Sequence, residues 1–188
     1  MIKRIIITGG PSSGKTSIID ALKDEGYSCF DEVSREIIQE MNIKTAFKNI
    51  NFEETVFKKR KRDFLNAKSG INFYDRSMLD NLAYLKKNKH EIPTHIKIDC
   101  ENHRYYPTVF ITTPWEDIYT VDDERLESFK DSIQIFQALK KVYVKANYNL
   151  VELPQSSVKE RIRFIINKSE YQTFIEISGV LFALKSIS

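Results

Sequence analysis

Short apolar runs alternate with longer amphipathic stretches along most of the chain. The runs are rich in β-branched or aromatic residues and predict buried strands at residues 5–7, 27–30, 71–74, 108–112 and 148–153. Between them, apolar residues recur at helical spacing, which predicts helices over 17–22, 31–38, 52–67, 126–142 and 158–167. Strands that alternate with helices in this way are typical of an α/β fold.

A glycine-rich loop with the spacing Gly-x4-Gly-Lys-Thr lies between the first predicted strand and the first predicted helix, which is the context of a P-loop. Glycine lets the backbone turn with positive φ, so several N–H groups can converge on an anion at the helix N-terminus. Lys15 is expected to reach the β- and γ-phosphates of ATP, and the Thr16 hydroxyl to ligate Mg²⁺. The alternative is a glycine turn that only joins a strand to a helix. The predicted nucleotide-binding residues are Gly9, Gly10, Pro11, Ser12, Ser13, Gly14, Lys15, Thr16 and Ser17.

Charged residues follow the next two predicted strands: Glu32 and Arg35 after the second, Asp75 and Arg76 after the third. Because ligands of open α/β sheets bind outside the carboxyl ends of the strands, these side chains are expected near the P-loop. Glu32 is a candidate general base, and Asp75 a candidate Mg²⁺ ligand, directly or through water. Arg35 and Arg76 are candidates for orienting a phosphoryl acceptor. The alternative is a pair of helix-capping acids and a Glu32–Arg35 surface pair; Ser77 and Asp80 are expected only to cap a helix or be solvated.

Two further segments are strongly charged. Residues 122–125 lie between the fourth and fifth strands, where small P-loop kinases carry a mobile lid, so Arg125 is expected to offset charge on the phosphoryl group in transit. A salt bridge at the start of a helix is the alternative for Arg125. Residues 58–62 are all basic, but five consecutive residues surround a helix instead of forming one face. We therefore expect them to be solvated, with partly snorkelling side chains.

Composition narrows the class of protein. The chain has 188 residues, long enough for one well-buried α/β domain and short for two. A net charge of +3 gives no reason to expect a nucleic-acid partner, and no apolar run is long enough to span a membrane. Two cysteines and three histidines match no metal-site spacing, and there is no secretory signal, so free thiols in a reducing cytoplasm are expected.

The order of the motifs extends the argument from single sites to the whole domain. From Lys3 to Lys168 the chain carries the P-loop, Glu32-x-x-Arg35, Asp75-Arg76-Ser77, Pro114-Trp115, Asp122-x-Glu124-Arg125 and Val151-Glu152-Leu153-Pro154. This series resembles a family of small bacterial predicted ATPases, labelled an AAA domain, which is similar to the nicotinamide riboside kinase domain of bacterial NAD regulators. The resemblance implies a three-layer P-loop kinase fold with five parallel strands in the order 2-3-1-4-5, and ATP with Mg²⁺ at the P-loop. It implies no particular substrate.

Two features depart from the resemblance. Relatives often carry Tyr-Arg after the Pro-Trp motif, where this chain has Tyr119-Thr120, so one lid arginine is missing. Residues 169–188 have no counterpart in the family and are apolar, so we expect an extension packed on the kinase-like domain of residues 1–168 or on a second copy of the chain.

These features predict a kinase that transfers the γ-phosphoryl group of ATP to a small metabolite, such as a nucleoside, a nucleotide or a ribosylated compound. One alternative is a slow ATPase or GTPase that acts as a nucleotide-dependent regulatory or binding module, which the missing lid arginine favours. Nucleic-acid processing through the basic helix is a third hypothesis, and it predicts steeply salt-dependent oligonucleotide binding.

Overall fold

The computed structural model describes residues 1–40, 50–120 and 127–170. Within these ranges, five strands alternate with seven helices and one 3₁₀ turn, Glu116–Ile118. The strands are β1 (Ile2–Gly9), β2 (Ser28–Phe30), β3 (Gly70–Asp75), β4 (Thr108–Thr112) and β5 (Asn149–Leu153). The helices are α1 (Lys15–Asp24), α2 (Val33–Glu40), α3 (Ile50–Leu65), α4 (Met78–Lys87), α5 (Thr94–Asn102), α6 (Phe129–Lys145) and α7 (158–170).

The five strands form one parallel sheet in the order β2-β3-β1-β4-β5, as the resemblance implies. The central strand is β1, whose Ile7 pairs with Asp75 of β3 and with Phe110 of β4. Because all strands run in the same direction, their carboxyl ends meet at one edge of the sheet. That edge carries the P-loop after β1, Glu32 after β2 and Asp75 at the end of β3.

Helices cover both faces of the sheet, so the domain has three layers. Ile5 and Ile7 of β1 pack with Ile18 and Leu22 of α1 on one face. Ile6 packs on the other face with side chains of α3, α4 and α6. Because both faces are covered, the middle of β1, residues 5–7, is a continuous apolar run without the alternation of a half-exposed strand. Each of these fully buried side chains stabilises the fold by about 1.5–3 kcal/mol.

The predicted bounds of individual elements agree with the structure in some cases and differ in others. Strand β4 has the predicted bounds, whereas α3 ends at Leu65, two residues before the predicted end. Residues 171–188 lie outside the described residues, so the apolar extension stays a prediction. In the described part of the chain, no helix is both long enough and apolar enough to cross a membrane.

Candidate functional site

The P-loop joins β1 to α1, and a side chain at Gly9 or Gly14 would collide with a neighbouring residue, with backbone at Gly9 and with the end of a flexible side chain at Gly14. A Cβ on Gly9 would lie 1.9 Å from Thr112 Oγ1, and one on Gly14 would lie 2.9 Å from the Arg161 guanidinium. Gly14 also has a φ of 78°, in the left-handed region, and is the N-cap of α1. Since no side chain caps this helix, its first backbone N–H groups are left for an anion.

Lys15 folds back onto the loop that precedes it. Its Nζ donates to the Gly10 carbonyl at 2.6 Å, and Ser13 Oγ donates to the same carbonyl at 2.8 Å. Burial, reinforced by Arg76, lowers the pKa of Lys15 to about 8. The ammonium therefore lies beside the uncapped helix N-terminus, where a phosphate oxygen could replace the Gly10 carbonyl as its partner.

Asp75 and Thr16 have the properties of Mg²⁺ ligands. Asp75 is 5% exposed, and its Oδ1 has no hydrogen-bond partner in the described part of the chain. Burial raises the pKa of Asp75 to about 6, despite the attraction of Lys15. An unsatisfied buried carboxylate oxygen is a site that a divalent cation would stabilise. The residues present therefore fit Mg²⁺, with the exposed Thr16 in the first turn of α1 as the second ligand. Asp75 is not the helix cap, because Ser77 caps α4.

Protein side chains alone would not make a complete metal site. Among the described residues, no group of three or more histidine, cysteine, aspartate and glutamate side chains is placed to hold a metal ion. Mg²⁺ commonly takes one or two protein ligands and completes its shell with phosphate oxygens and water. Asp75 and Thr16 fit this arrangement of two protein ligands completed by phosphate oxygens and water.

Glu32, which follows β2, is held by two arginines. Its Oε1 lies 2.9 Å from Arg60 Nη2, and its Oε2 contacts Arg76 Nε. Ser34 also donates to Oε1, through its hydroxyl at 2.7 Å and its backbone N–H at 3.2 Å. Burial opposes ionisation, but Arg76 and Arg60 outweigh it and lower the pKa of Glu32 to about 2. Glu32 is therefore an ionised carboxylate whose two cationic partners, Arg60 and Arg76, are distant in sequence. The side chain of Arg35 lies outside the described residues, so the Glu32–Arg35 pair stays a prediction.

Arg76, which follows β3, has an unusual backbone conformation. Its φ is 72°, in the left-handed region, which costs about 1–2 kcal/mol for a residue with a Cβ. The guanidinium contacts Glu32, lies 3.5 Å from Asp80 Oδ1 and lies over the Tyr84 ring at 5.4 Å. Backbone strain at a residue that joins a buried charged cluster supports a functional role for Arg76.

Asp80 joins three elements around the site. It forms a capping box with Ser77 at the start of α4, which confirms the capping prediction. It is also fully buried, so the prediction of a merely solvated side chain is wrong. Thr8 Oγ1 donates to its Oδ1 at 2.5 Å, and the Tyr143 hydroxyl donates to its Oδ2. The Asp80 carboxylate therefore ties the end of β1, just before the P-loop, to α4 and α6.

Arg60 is a site residue that sequence reasoning missed. The prediction that residues 58–62 are solvated is wrong at Arg60, which is 5% exposed. Its Nη1 donates to Asn81 Oδ1 at 2.9 Å, and Asn81 Nδ2 donates to Glu53 Oε2 at 2.8 Å. One signal could have found it: Arg60 occupies the row of every fourth residue that also holds Phe52, Val56 and Phe64, the buried stripe of α3.

The lysines beside Arg60 are half-buried, and each is paired with an acid. Lys59 Nζ lies 3.0 Å from Glu36 Oε2, and Lys61 Nζ lies 2.7 Å from Asp99 Oδ1. With Arg60 buried, the basic run does not form a continuous basic surface, and this weakens the nucleic-acid hypothesis.

Glu53→Gln is expected to stabilise the protein above pH 6. Burial raises the pKa of Glu53 from its ordinary value of about 4.5 to about 6, so the folded state holds a proton that the unfolded state has lost. Wild-type stability therefore falls between these pH values relative to Glu53→Gln, and the difference reaches about 2 kcal/mol above pH 6. Below pH 4 the two proteins should be equally stable. Urea unfolding at pH 4 and pH 7.5 tests this, with Glu54→Gln on the outer face of α3 as the control. Equal stabilities at pH 7.5 would contradict it.

Arg125 lies in residues 121–126, outside the described residues, so its lid role stays a prediction. The residues that flank this segment contact the P-loop and each other. Ser12 Oγ donates to the Thr120 carbonyl at 2.7 Å, and the Tyr119 hydroxyl donates to the Glu127 carbonyl. The residue before the segment, Thr120, therefore contacts the phosphate-binding loop, and the residue after it, Glu127, contacts Tyr119.

Sequence comparison supports a family assignment. The profile of the protein family described as "AAA domain" matches residues 4–161. No curated protein matches the sequence.

Solved structures with a similar fold include small-molecule kinases. A deoxyadenosine kinase from M. mycoides, with products bound, has a TM-score of 0.59 and 17% identity over 89% of this chain and 99% of that one. The NadR protein in complex with NR has a TM-score of 0.63 and 15% identity over 83% of this chain and 44% of that one. The shikimate kinase of Aquifex aeolicus has a TM-score of 0.53 and 17% identity over 91% and 98%. At these identities the likeness shows the fold, which is that of P-loop kinases.

Proposed function

The chain belongs to the AAA-domain family, and we propose that it is an ATP-dependent phosphotransferase that acts on a hydroxyl group of a small metabolite. One observation carries the proposal: the edge of the sheet that holds the P-loop also holds Glu32, Asp75 and Arg76 in one buried charged cluster. A P-loop needs no such acid for binding phosphate, whereas phosphoryl transfer to a hydroxyl uses a carboxylate and cations at that place. The likeness to P-loop kinases supports an enzyme.

The P-loop holds the triphosphate in this proposal. Backbone N–H groups of the loop, other than at Pro11, donate to the phosphates, and Lys15 exchanges the Gly10 carbonyl for a β- or γ-phosphate oxygen. Thr16 and Asp75 would hold Mg²⁺, which would supply positive charge to neutralise the phosphates. The preorganised cations reduce the cost of gathering negative charge at the transferring group.

Glu32 and the arginines act on the acceptor. The Glu32 carboxylate orients the acceptor hydroxyl and receives its proton as the bond to phosphorus forms. Its low pKa suits a loose transition state, in which the proton leaves late and positioning matters more than base strength. Arg76 and Arg35 orient the acceptor, and Arg125 offsets charge at the transition state.

The side chains of the site and the similarly folded proteins together indicate the class of acceptor. The site provides one carboxylate for a hydroxyl and arginines for anionic or polar groups of the acceptor. A nucleoside, a nucleotide or a ribosylated compound carries such a hydroxyl, and similarly folded proteins include kinases of deoxyadenosine and shikimate. We place the reaction in the cytoplasm, which agrees with the two free cysteines.

Phosphorus NMR of the protein with Mg-ATP and a pool of nucleosides, nucleotides and cofactor precursors tests the proposal. We expect a new phosphoester signal, and removing pool members one at a time identifies the acceptor. Lys15→Ala should slow its appearance at least about 10²-fold, because a preorganised cation at the phosphates is lost. Lys23→Ala is the matched control on α1, since Lys23 pairs at the surface with Asp31.

The outcomes separate the hypotheses. Release of inorganic phosphate alone would contradict a kinase and favour the slow nucleotide-dependent module. Equal rates for Lys15→Ala and the wild type would show that the signal does not come from the P-loop.

A further inference from the structure

We propose that Arg60 is a positioning residue: it holds Oε1 of Glu32 in place, so that Oε2 can pass from Arg76 to the acceptor hydroxyl. The inference rests on the proposed phosphotransferase function and adds a residue that neither the sequence motifs nor the comparisons assign. It also explains how a carboxylate that is already paired with two arginines can serve as the acceptor's partner.

The two oxygens of Glu32 have different surroundings. Oε1 receives three hydrogen bonds: from Arg60 Nη2 at 2.9 Å, from the Ser34 hydroxyl at 2.7 Å and from the Ser34 backbone N–H at 3.2 Å. Among the described residues, Oε2 has one strong partner, Arg76 Nε. Replacing that single contact frees Oε2, whereas freeing Oε1 requires three contacts to break. The geometry therefore assigns Oε2 to the acceptor.

Arg60 is fixed, whereas Arg76 has other partners. The second guanidinium nitrogen of Arg60 donates to Asn81, which itself donates to the Glu53 carbonyl at 3.0 Å and carboxylate at 2.8 Å. This chain anchors Arg60 to both α3 and α4. Arg76 has the Asp80 carboxylate and the Tyr84 ring beside it, so it keeps favourable partners when Glu32 turns to the acceptor.

In the proposed transfer step, every bond that forms is matched by one that breaks. The acceptor oxygen forms a bond to the γ-phosphorus, the bond from that phosphorus to the β–γ bridging oxygen breaks, and ADP leaves. The hydroxyl proton passes to Oε2 of Glu32 and goes to solvent when the product leaves. Arg60 stays on Oε1 throughout, which keeps Oε2 directed at the acceptor and favours return to the ionised form.

Arg60→Met tests the inference in a double-mutant cycle with Glu32→Gln. In the wild-type background, Arg60→Met should lower kcat about 10²-fold with little change in the KM for ATP, because a misplaced carboxylate slows the transfer step. In the Glu32→Gln background, the same substitution should change kcat less than about twofold, since Arg60 acts through Glu32. Lys61→Met is the matched control: Lys61 is the next residue on α3, and it pairs with Asp99, away from Glu32.

Ser34→Ala provides a second route if Arg60→Met does not fold. Ser34 is only half-buried, and this change removes one donor to Oε1, so we expect a smaller loss of kcat that again disappears in the Glu32→Gln background. Thermal unfolding adds a measurement that needs no acceptor: Arg60→Met should lower the Tm of the wild type by more than it lowers the Tm of Glu32→Gln, in which Arg60 has already lost its Glu32 partner.

The results distinguish this inference from the proposed function. If the wild-type protein transfers no phosphoryl group, the proposed function is wrong. The Tm measurements then test by themselves whether Arg60 stabilises Glu32. An active wild type in which Arg60→Met lowers kcat equally in both backgrounds, or not at all, would overturn the positioning role.

Discussion

Asp75→Asn is expected to lower kcat for phosphoryl transfer about 10²–10³-fold, with a higher Mg²⁺ concentration needed for half-maximal activity. The reason is the buried Oδ1 of Asp75, which has no partner among the described residues and would ligate the cation in the proposed site. An asparagine has nearly the same shape but lacks the negative charge that a divalent ion prefers. Because a buried, unsatisfied anion is lost, the variant should have a Tm no lower than the wild type. Activity and stability should therefore change in different ways, which excludes misfolding as the cause.

Steady-state rates at fixed ATP and varied Mg²⁺ measure this effect. Asp31→Asn is the matched control, since Asp31 also follows a strand at the same edge of the sheet but is exposed and pairs with Lys23. Its activity should lie within about twofold of the wild type. If the Mg²⁺ dependence of Asp75→Asn equals that of the wild type, Asp75 is not a ligand of Mg²⁺.

The strands of the sheet could be predicted from the sequence, because each one is marked by a short run of apolar residues. Three isoleucines bounded by glycine, and the run at Thr108–Thr112, are too short and too β-branched for helices. The strand order came from the family resemblance, since periodicity carries no information about which strands pair. Helix ends were less accurate, as at Leu65, because the last turn of a helix depends on local contacts that composition does not determine.

The candidate site was predicted only where its residues are next to strand ends. Glu32, Asp75 and Arg76 were found because a parallel sheet brings those positions together. Arg60 and Asp80 were misjudged, since their partners are remote: Arg60 contacts Glu32 from 28 positions away, and Tyr143 reaches Asp80 over 63 positions. A charged residue is usually exposed, and only a partner supplied by the tertiary fold reverses that expectation.

The arginines also explain why Glu32 differs from an ordinary acid at a helix start. The surface pair with Arg35 that the sequence allows stays a prediction, and the structure adds Arg60 and Arg76 as partners of Glu32. Two cations on one carboxylate keep it ionised far below neutral pH. Loss of Glu32 ionisation therefore should not limit activity of the free enzyme at any pH above about 4.

Glu32→Gln is expected to lower kcat about 10²–10⁴-fold, the usual contribution of a positioned acid or base, with ATP binding retained at the separate P-loop. It also leaves Arg60 and Arg76 without their shared anion, which should cost about 3 kcal/mol of stability and lower the Tm by about 10 °C. Rates under saturating substrates, together with ATP binding by calorimetry, separate these two effects. Glu36→Gln, an exposed acid one turn later in α2, is the control and should change neither.

Glu32→Asp tests whether kcat depends on the position of the Glu32 carboxylate or only on its negative charge. It keeps the negative charge near both arginines, so most of the stability should remain, but it withdraws the carboxylate by one methylene from the acceptor. A displacement of this size in the transferring geometry should still lower kcat about 10²-fold. Loss of activity without loss of stability would then place the Glu32 carboxylate at the acceptor hydroxyl. Wild-type kcat in both Glu32→Asp and Glu32→Gln would show that Glu32 only neutralises its two arginines.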